Sequence, residues 1–333
     1  MLSCGPADLR IHAQDIELNG DNLDGFPPLV EAIAAKYGVS SESVVIAQGT
    51  SMANFLACAT LLERGEEVLI EHPAYDPLLA VAGYLGAEVK RFARRFENGY
   101  EIDTDELGRL VSSRTRLLMI TSPHNPSGVV VSESALQQIA QIAERTGTYV
   151  LMDEVYRDAL FELAPPVSAT LSRRFIVTSS LTKSYGLGGL RCGWIICEPE
   201  LAARMRRMND LFGSYGSMPS ETLGLAAFRQ LGALERRAKE ILDPNTEIAH
   251  AFLSSHTDVL ECIVPPRSLT VFPRLRREED SQVLHDRLRK LETSIVPGAF
   301  FESPRHFRLG LTVATEDVRE GLNRLSLALR MTS

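Results

Sequence analysis

The chain has 333 residues, 35 Lys+Arg against 43 Asp+Glu, a formal net charge of −8, and 44% hydrophobic and 23% charged residues, a composition that excludes a disordered or fibrous protein. The acidic balance and the lack of any Lys/Arg-dense stripe exclude nucleic acid as a main partner. No apolar run approaches the roughly 20 residues that span a bilayer, and the opening MLSCGPADLRIHAQD lacks a basic then apolar leader pattern, so no membrane partner and a cytoplasmic location are expected.

Short apolar runs alternate with longer amphipathic ones, the pattern of an α/β protein with strands and crossover helices in a mostly parallel sheet. Residues 1–24 read as a short N-terminal segment. From residue 25 to 242 the pattern predicts one large unit with seven strands, Val44–Ala47, Val68–Glu71, Glu88–Phe92, Leu117–Thr121, Tyr149–Asp153, Phe175–Ser179 and Cys192–Cys197. Helical patterns lie between them, among them Ser51–Glu63, Tyr75–Leu85, Ser134–Arg145 and Pro199–Phe212. A single core stops growing at roughly 250 to 300 residues, so a second unit is expected. The register changes near Asp243, and 243–333 reads as a smaller α+β C-terminal unit: a helix, strand-like Val259–Val264 and Leu269–Phe272, a helix from Asp280, a strand-like Phe307–Thr312 and a closing helix from Thr315. Asp243-Pro244 and Pro265-Pro266 punctuate it, because a residue before proline is pushed out of the helical region.

Open α/β sheets gather ligands at strand ends. After the first strand, Gln48-Gly49-Thr50-Ser51 opens a helix: glycine permits close approach, and free N–H groups and hydroxyls attract an anion, although a plain helix cap would use the same residues. After the fourth, Ser122-Pro123-His124-Asn125-Pro126-Ser127-Gly128 holds one Asn amide between prolines, which suggests an amide aimed at a ligand. The fifth ends in Asp153-Glu154-Val155-Tyr156, with an acid at the tip of an apolar run. That acid either caps the next helix or faces a cationic nitrogen. The sixth leads into Ser180-Leu181-Thr182-Lys183-Ser184-Tyr185-Gly186, with Arg191 eight positions after the lysine. The S-D-N and K-T-G companions of a serine-nucleophile S-x-x-K site are absent. The five cysteines, Cys4, Cys58, Cys192, Cys197 and Cys262, are scattered and read as reduced core thiols, and the seven histidines make no zinc pattern, so no metal is expected.

In this order the S-x-x-K-x-x-G-x-x-x-x-R-x-G core, the P-x-N-P-x-G turn and D-E-x-Y resemble the aspartate aminotransferase superfamily, the fold-type I enzymes dependent on pyridoxal phosphate (PLP), and within it the class I/II aminotransferases. The resemblance runs from Gly25-Phe26-Pro27-Pro28-Leu29 to Arg308-Leu309-Gly310-Leu311. It implies that Lys183 carries PLP as a Schiff base and shuttles the proton, and that Asp153 pairs with the pyridine nitrogen, which keeps the ring an electron sink. It places Asn125 and Tyr156 at the ring phenolate, Tyr75 against the ring face, and Gly49, Thr50, Ser51, Ser180 and Arg191 around the phosphate. Arg308 would grip the substrate α-carboxylate, with Asn125 and Gly25 beside it. Where many relatives carry a tyrosine that reaches the partner subunit's phosphate, this chain has Gly20 or Asp21. The implied activity is transfer of an amino group from an L-amino acid to a 2-oxo acid by a homodimer. The same fold also hosts decarboxylases, β-lyases, synthases and histidinol-phosphate-type aminotransferases, in the last of which the Arg308 position would meet a phosphate. It hosts regulators too, but those carry a DNA-binding domain for which this chain has no basic region.

Overall fold

The structure, a computed structural model, describes residues 9–331. Cys4, the first eight residues of the N-terminal segment and the last two of the C-terminal unit lie outside it.

Residues Val44–Gln48 (β1), Glu67–His72 (β2), Glu88–Ala93 (β3), Thr115–Thr121 (β4), Tyr149–Asp153 (β5), Phe175–Ser180 (β6) and Cys192–Ile196 (β7) form one sheet in the order β1-β7-β6-β5-β4-β2-β3. β7 runs antiparallel to both neighbours and the other pairings are parallel. Alternate residues serve opposite faces, as the two-residue strand period requires. Val44 and Ile46 pack with Leu29 and Ile33, while Val45 and Ala47 pack with Leu56 and Leu61. Helices Pro27–Tyr37 (α1), Glu133–Thr146 (α5) and Met218–Phe228 (α7) contribute to the first core. Thr50–Leu61 (α2), Asp76–Tyr84 (α3) and Pro199–Asp210 (α6) contribute to the second. A short helix, Thr104–Leu110 (α4), packs against α5.

Local chemistry sets the helix ends. Ser132 accepts a hydrogen bond from the Ala135 N–H at the start of α5, and left-handed Gly147 closes it. The buried Ala135, Leu136, Ile139, Ile142 and Ala143 follow a helical stripe.

One expectation is overturned at Asp243-Pro244. The 242/243 boundary falls inside a continuous helix, Leu231–Ser255 (α8), with Pro244 in its interior. An internal proline costs a helix roughly 3 kcal/mol, but here Leu234, Ala238, Leu242, Ala249 and Leu253 are buried along one face. The fully buried Asn245 also donates to the carbonyls of Leu311 and Val313, both at 2.9 Å. Burial and these bonds hold the chain helical where the local preference is to break.

Beyond α8 the strands are shorter than the apolar runs: Leu260–Glu261 (β8), Thr270–Val271 (β9), Arg274–Leu275 (β10), Val296–Pro297 (β11) and Phe307–Gly310 (β12). Pro265-Pro266 and Pro273 remove the N–H groups a longer ladder would need. With Ser281–Arg289 (α9) and Thr315–Arg330 (α10) they enclose a separate core that includes Leu242, Leu260, Val271, Leu284, Phe307 and Leu322. Among the described residues no helix is long and apolar enough to cross a membrane.

Candidate active site

Strand register collects the site. Thr121 lies opposite Asp153, Asp153 opposite Thr178, Ser180 opposite Gly193, and Gln48 opposite Cys192. The C-terminal ends of β1, β4, β5 and β6 therefore share one edge with the start of β7. A cavity of about 400 Å³ opens there, lined by Thr50, Ser51, Tyr75, Asn125, Asp153, Tyr156, Ser180, Lys183, Arg191 and Arg308.

At one end, Gly49 precedes the first residue of α2 with φ +80°, and the Arg191 guanidinium lies against it, so that a Cβ there would come within 3.0 Å of Arg191 Cζ. Gly193 passes the Gly49 backbone so closely that its own Cβ would lie 2.6 Å away. Arg191, itself left-handed at φ +51°, donates from Nη2 to the Gln48 carbonyl at 3.0 Å and from Nη1 to the Gly188 carbonyl at 3.2 Å. Thr50 Oγ1 donates to Ser180 Oγ at 2.9 Å. Unpaired N–H groups, the positive helix end, two hydroxyls and a guanidinium together form an anion cradle.

Asp153 is buried, and its Oδ2 accepts from Asn54 Nδ2 at 2.9 Å while its Oδ1 accepts from the Val155 N–H at 3.1 Å. Burial pushes its carboxyl above the ordinary value, against the pull of Asn54, Val155 and the Lys183 ammonium. Burial, then the charges of Arg308 and Arg191, lower the Lys183 amine, and Asp153 opposes them. The Tyr156 phenol is pushed up to about 12, first by burial. Tyr75 rises for the same reason.

At the other end, Arg308 on β12 donates from Nη1 to Asn125 Oδ1 at 2.7 Å, and its guanidinium stands 5.1 Å over the Phe301 ring. The Asn125 loop is tied to the smaller unit by Thr270 Oγ1, which donates to the Pro126 carbonyl at 3.1 Å.

Gly25 is the exception among the expected site residues. It lines a neighbouring cavity of about 200 Å³ with Asn22, Asp24, Arg206 and Glu221, and among the described residues only Arg191 faces both cavities. Its φ of +98° and the Ile46 side chain, 2.5 Å from where a Cβ would stand, explain the glycine as a close pass over β1. Asn54, Thr121 and Thr182 line the main cavity without having been expected there. Asn54 carried one signal, a lone amide within the otherwise apolar Ala53-Asn54-Phe55-Leu56-Ala57.

The profile of the aminotransferase class I and II family matches residues 7–325. The chain belongs to the class I and II aminotransferases. It is 29% identical over 305 residues to an arginine–pyruvate transaminase of Pseudomonas aeruginosa, covering 87% of this chain and 75% of the relative. It is 28% identical over 298 residues to a capreomycidine synthase of Streptomyces vinaceus, covering 89% and 77%. A PLP-dependent aminotransferase from Streptococcus suis superposes with a TM-score of 0.89 at 28% identity, covering 95% of this chain and 85% of that one. This aminotransferase is thus a PLP-dependent enzyme, and PLP is its cofactor. The residues present fit that molecule: an anion cradle for a phosphate, a buried acceptor-only carboxylate for a protonated ring nitrogen, and a primary amine for an aldehyde.

Proposed function

We propose that Lys183, Asp153 and Arg308 carry amino transfer from an L-amino acid to a 2-oxo acid. The observation that bears it is their meeting in one cavity that has an anion cradle at the opposite end. In this reading the Gly49–Ser51 turn, Ser180 and Arg191 hold the cofactor's phosphate, Asn125 and Tyr156 its phenolate oxygen, and Tyr75 its face. PLP when bound supplies an aldehyde that takes up the amino group and a ring that draws electrons from the bond broken at the substrate's α carbon.

The protein's own residues do the rest. Lys183 Nζ holds the cofactor and then takes the proton from the substrate's α carbon, a task its lowered pKa suits because the neutral amine is the base. Asp153, oriented by Asn54, keeps a negative charge opposite the ring nitrogen. The Arg308 fork binds the α-carboxylate and fixes which bond faces the ring.

A homodimer is part of the reading, supported by the exposed Phe212 and Tyr215, which line the smaller cavity, and the exposed Leu211 beside them in the chain. So are a chain that works as two units joined through α8, and a cytoplasmic location, in keeping with four free thiols among the described residues, each of which burial pushes up to about 12. A synthase reaction is the second reading, favoured by similarity to the capreomycidine synthase at nearly the same identity as to the transaminase.

The test adds amino acids singly, arginine first, to PLP-loaded protein without any 2-oxo acid. One equivalent of 2-oxo acid per site, with visible absorbance lost and then restored by pyruvate, is expected. Released carbon dioxide or ammonia, or a cyclised product that keeps its amino group, would overturn amino transfer. An active monomer in light scattering would remove the dimer.

A further inference from the structure

Behind the carboxylate end of the cavity lies a buried ion pair outside the cofactor cradle. Glu71, near the end of β2, and Arg94, just after β3, have fully buried side chains, and Arg94 Nη1 donates to Glu71 Oε2 at 2.9 Å. Arg94 is anchored by Nε to the Tyr100 carbonyl at 2.7 Å and by Nη1 to the Thr121 carbonyl at 3.2 Å. Glu71 Oε1 accepts both the backbone N–H and the hydroxyl of Thr121, at 2.7 and 2.5 Å. Thr121 Oγ1 in turn accepts the Asn125 N–H at 2.9 Å, and Asn125 Oδ1 accepts Arg308 Nη1.

The direction of this chain of bonds is set by chemistry. An ionised carboxylate only accepts, so the single hydroxyl proton of Thr121 must point at Glu71, and the lone pairs left over face the Asn125 N–H. Burying two charges is costly, and apolar side chains of similar volume often replace a buried ion pair at no loss of stability. What an apolar pair does not supply is a directed acceptor under Thr121. The Thr121 hydroxyl joins two of these bonds head to tail, accepting from the Asn125 N–H while donating to Glu71, and such bonds in a dry interior polarise each other.

We propose that Glu71, clamped by Arg94 and acting through Thr121 and Asn125, is a positioning residue for Arg308 and so sets the affinity for the α-carboxylate of both the amino acid and the 2-oxo acid. The proposal rests on Arg308 as the carboxylate grip, and the test separates the two.

Propionate, a carboxylate with no amino group, is titrated calorimetrically into PLP-loaded protein, and PLP affinity is measured separately by equilibrium dialysis. Thr121→Val removes the hydroxyl and leaves the ion pair intact. It should weaken propionate about tenfold, Thr121→Ser should restore it, and in the Val variant PLP affinity should fall clearly less than propionate affinity, because Asn125 is one of several cofactor contacts while the cradle and Asp153 stand on other elements. Glu71→Gln should act in the same direction, and if it fails to fold with Arg94 left unpaired, the Thr121 pair decides. Unchanged propionate binding in Thr121→Val, a Ser variant as impaired as the Val variant, or parallel loss of PLP and propionate would each overturn the relay. If Arg308→Lys itself leaves propionate binding unchanged, the grip is wrong. If Arg308→Lys weakens it and Thr121→Val does not, only the relay falls.

Discussion

The two ends of the cavity are held by different means. At the sheet end Asp153 and Ser180 stand on paired strands, where each backbone is fixed by its ladder, and the Gly49–Ser51 turn follows directly on β1 and opens α2. At the far end Arg308 comes from four-residue β12 in a three-stranded sheet, and its guanidinium is placed by one amide oxygen and one ring face. A rigid platform suits groups that must hold a cofactor through repeated turnovers. A single charged fork on a small unit suits a group that must grip and release carboxylates.

Substitutions can break or sharpen that contrast. Lys183→Ala should lower 2-oxo acid formation by about 10³-fold or more while PLP still binds, since the proton carrier is lost and the cradle is not. A loss under about tenfold would remove the sheet end as the seat of proton transfer. Arg308→Lys replaces a fork by a point charge and should raise KM for the amino donor about 10- to 100-fold with a smaller change in kcat, read by steady-state kinetics. An equal fall in kcat with KM unchanged would place Arg308 in the sheet end's work instead. Asn54→Ala removes the donor to Asp153 Oδ2 and should weaken PLP about five- to tenfold in equilibrium dialysis, with KM for the amino donor little moved.

The smallest effect concerns two adjacent acids. Asp153 has two hydrogen-bond donors, whereas Glu154 has the Ser168 N–H on Oε1 at 3.0 Å and burial pushes its carboxyl up to about 7. A carboxyl raised in the folded state favours folding below the ordinary value of 4.5, and that contribution is lost as pH rises through about 7. Glu154→Gln cannot ionise, so its melting temperature relative to the unaltered protein should climb by a few degrees between about pH 5 and pH 8. A pH-independent difference would show that Glu154 is already ionised at the acid end of that range.

The residues that meet in the cavity were legible because strands end where apolar runs end, and the loop after such an end is short and rich in glycine, proline and hydroxyls. Asn125, Asp153, Ser180 and Lys183 each sit in such a segment. Their supports were not legible. Asn54 reaches Asp153 across 99 positions, and Glu71 reaches Thr121 across 50. Nothing local to a buried glutamate on β2 distinguishes it from the other charged residues of its run. Nor was the close pass of Gly25 over β1 legible, because a glycine required by such a pass looks the same in sequence as one beside a substrate.

Alternating periodicity by itself determined the α/β class, the seven strands and the strand-end loops, because a strand or helix writes its own period into neighbouring residues. Tertiary structure alone decided which polar atoms pair, that α8 continues through Pro244, and which of two adjacent cavities each loop faces. Those outcomes depend on burial against residues far away in the chain. Desolvation and directed hydrogen bonds there outweigh the preferences that a short stretch of sequence expresses.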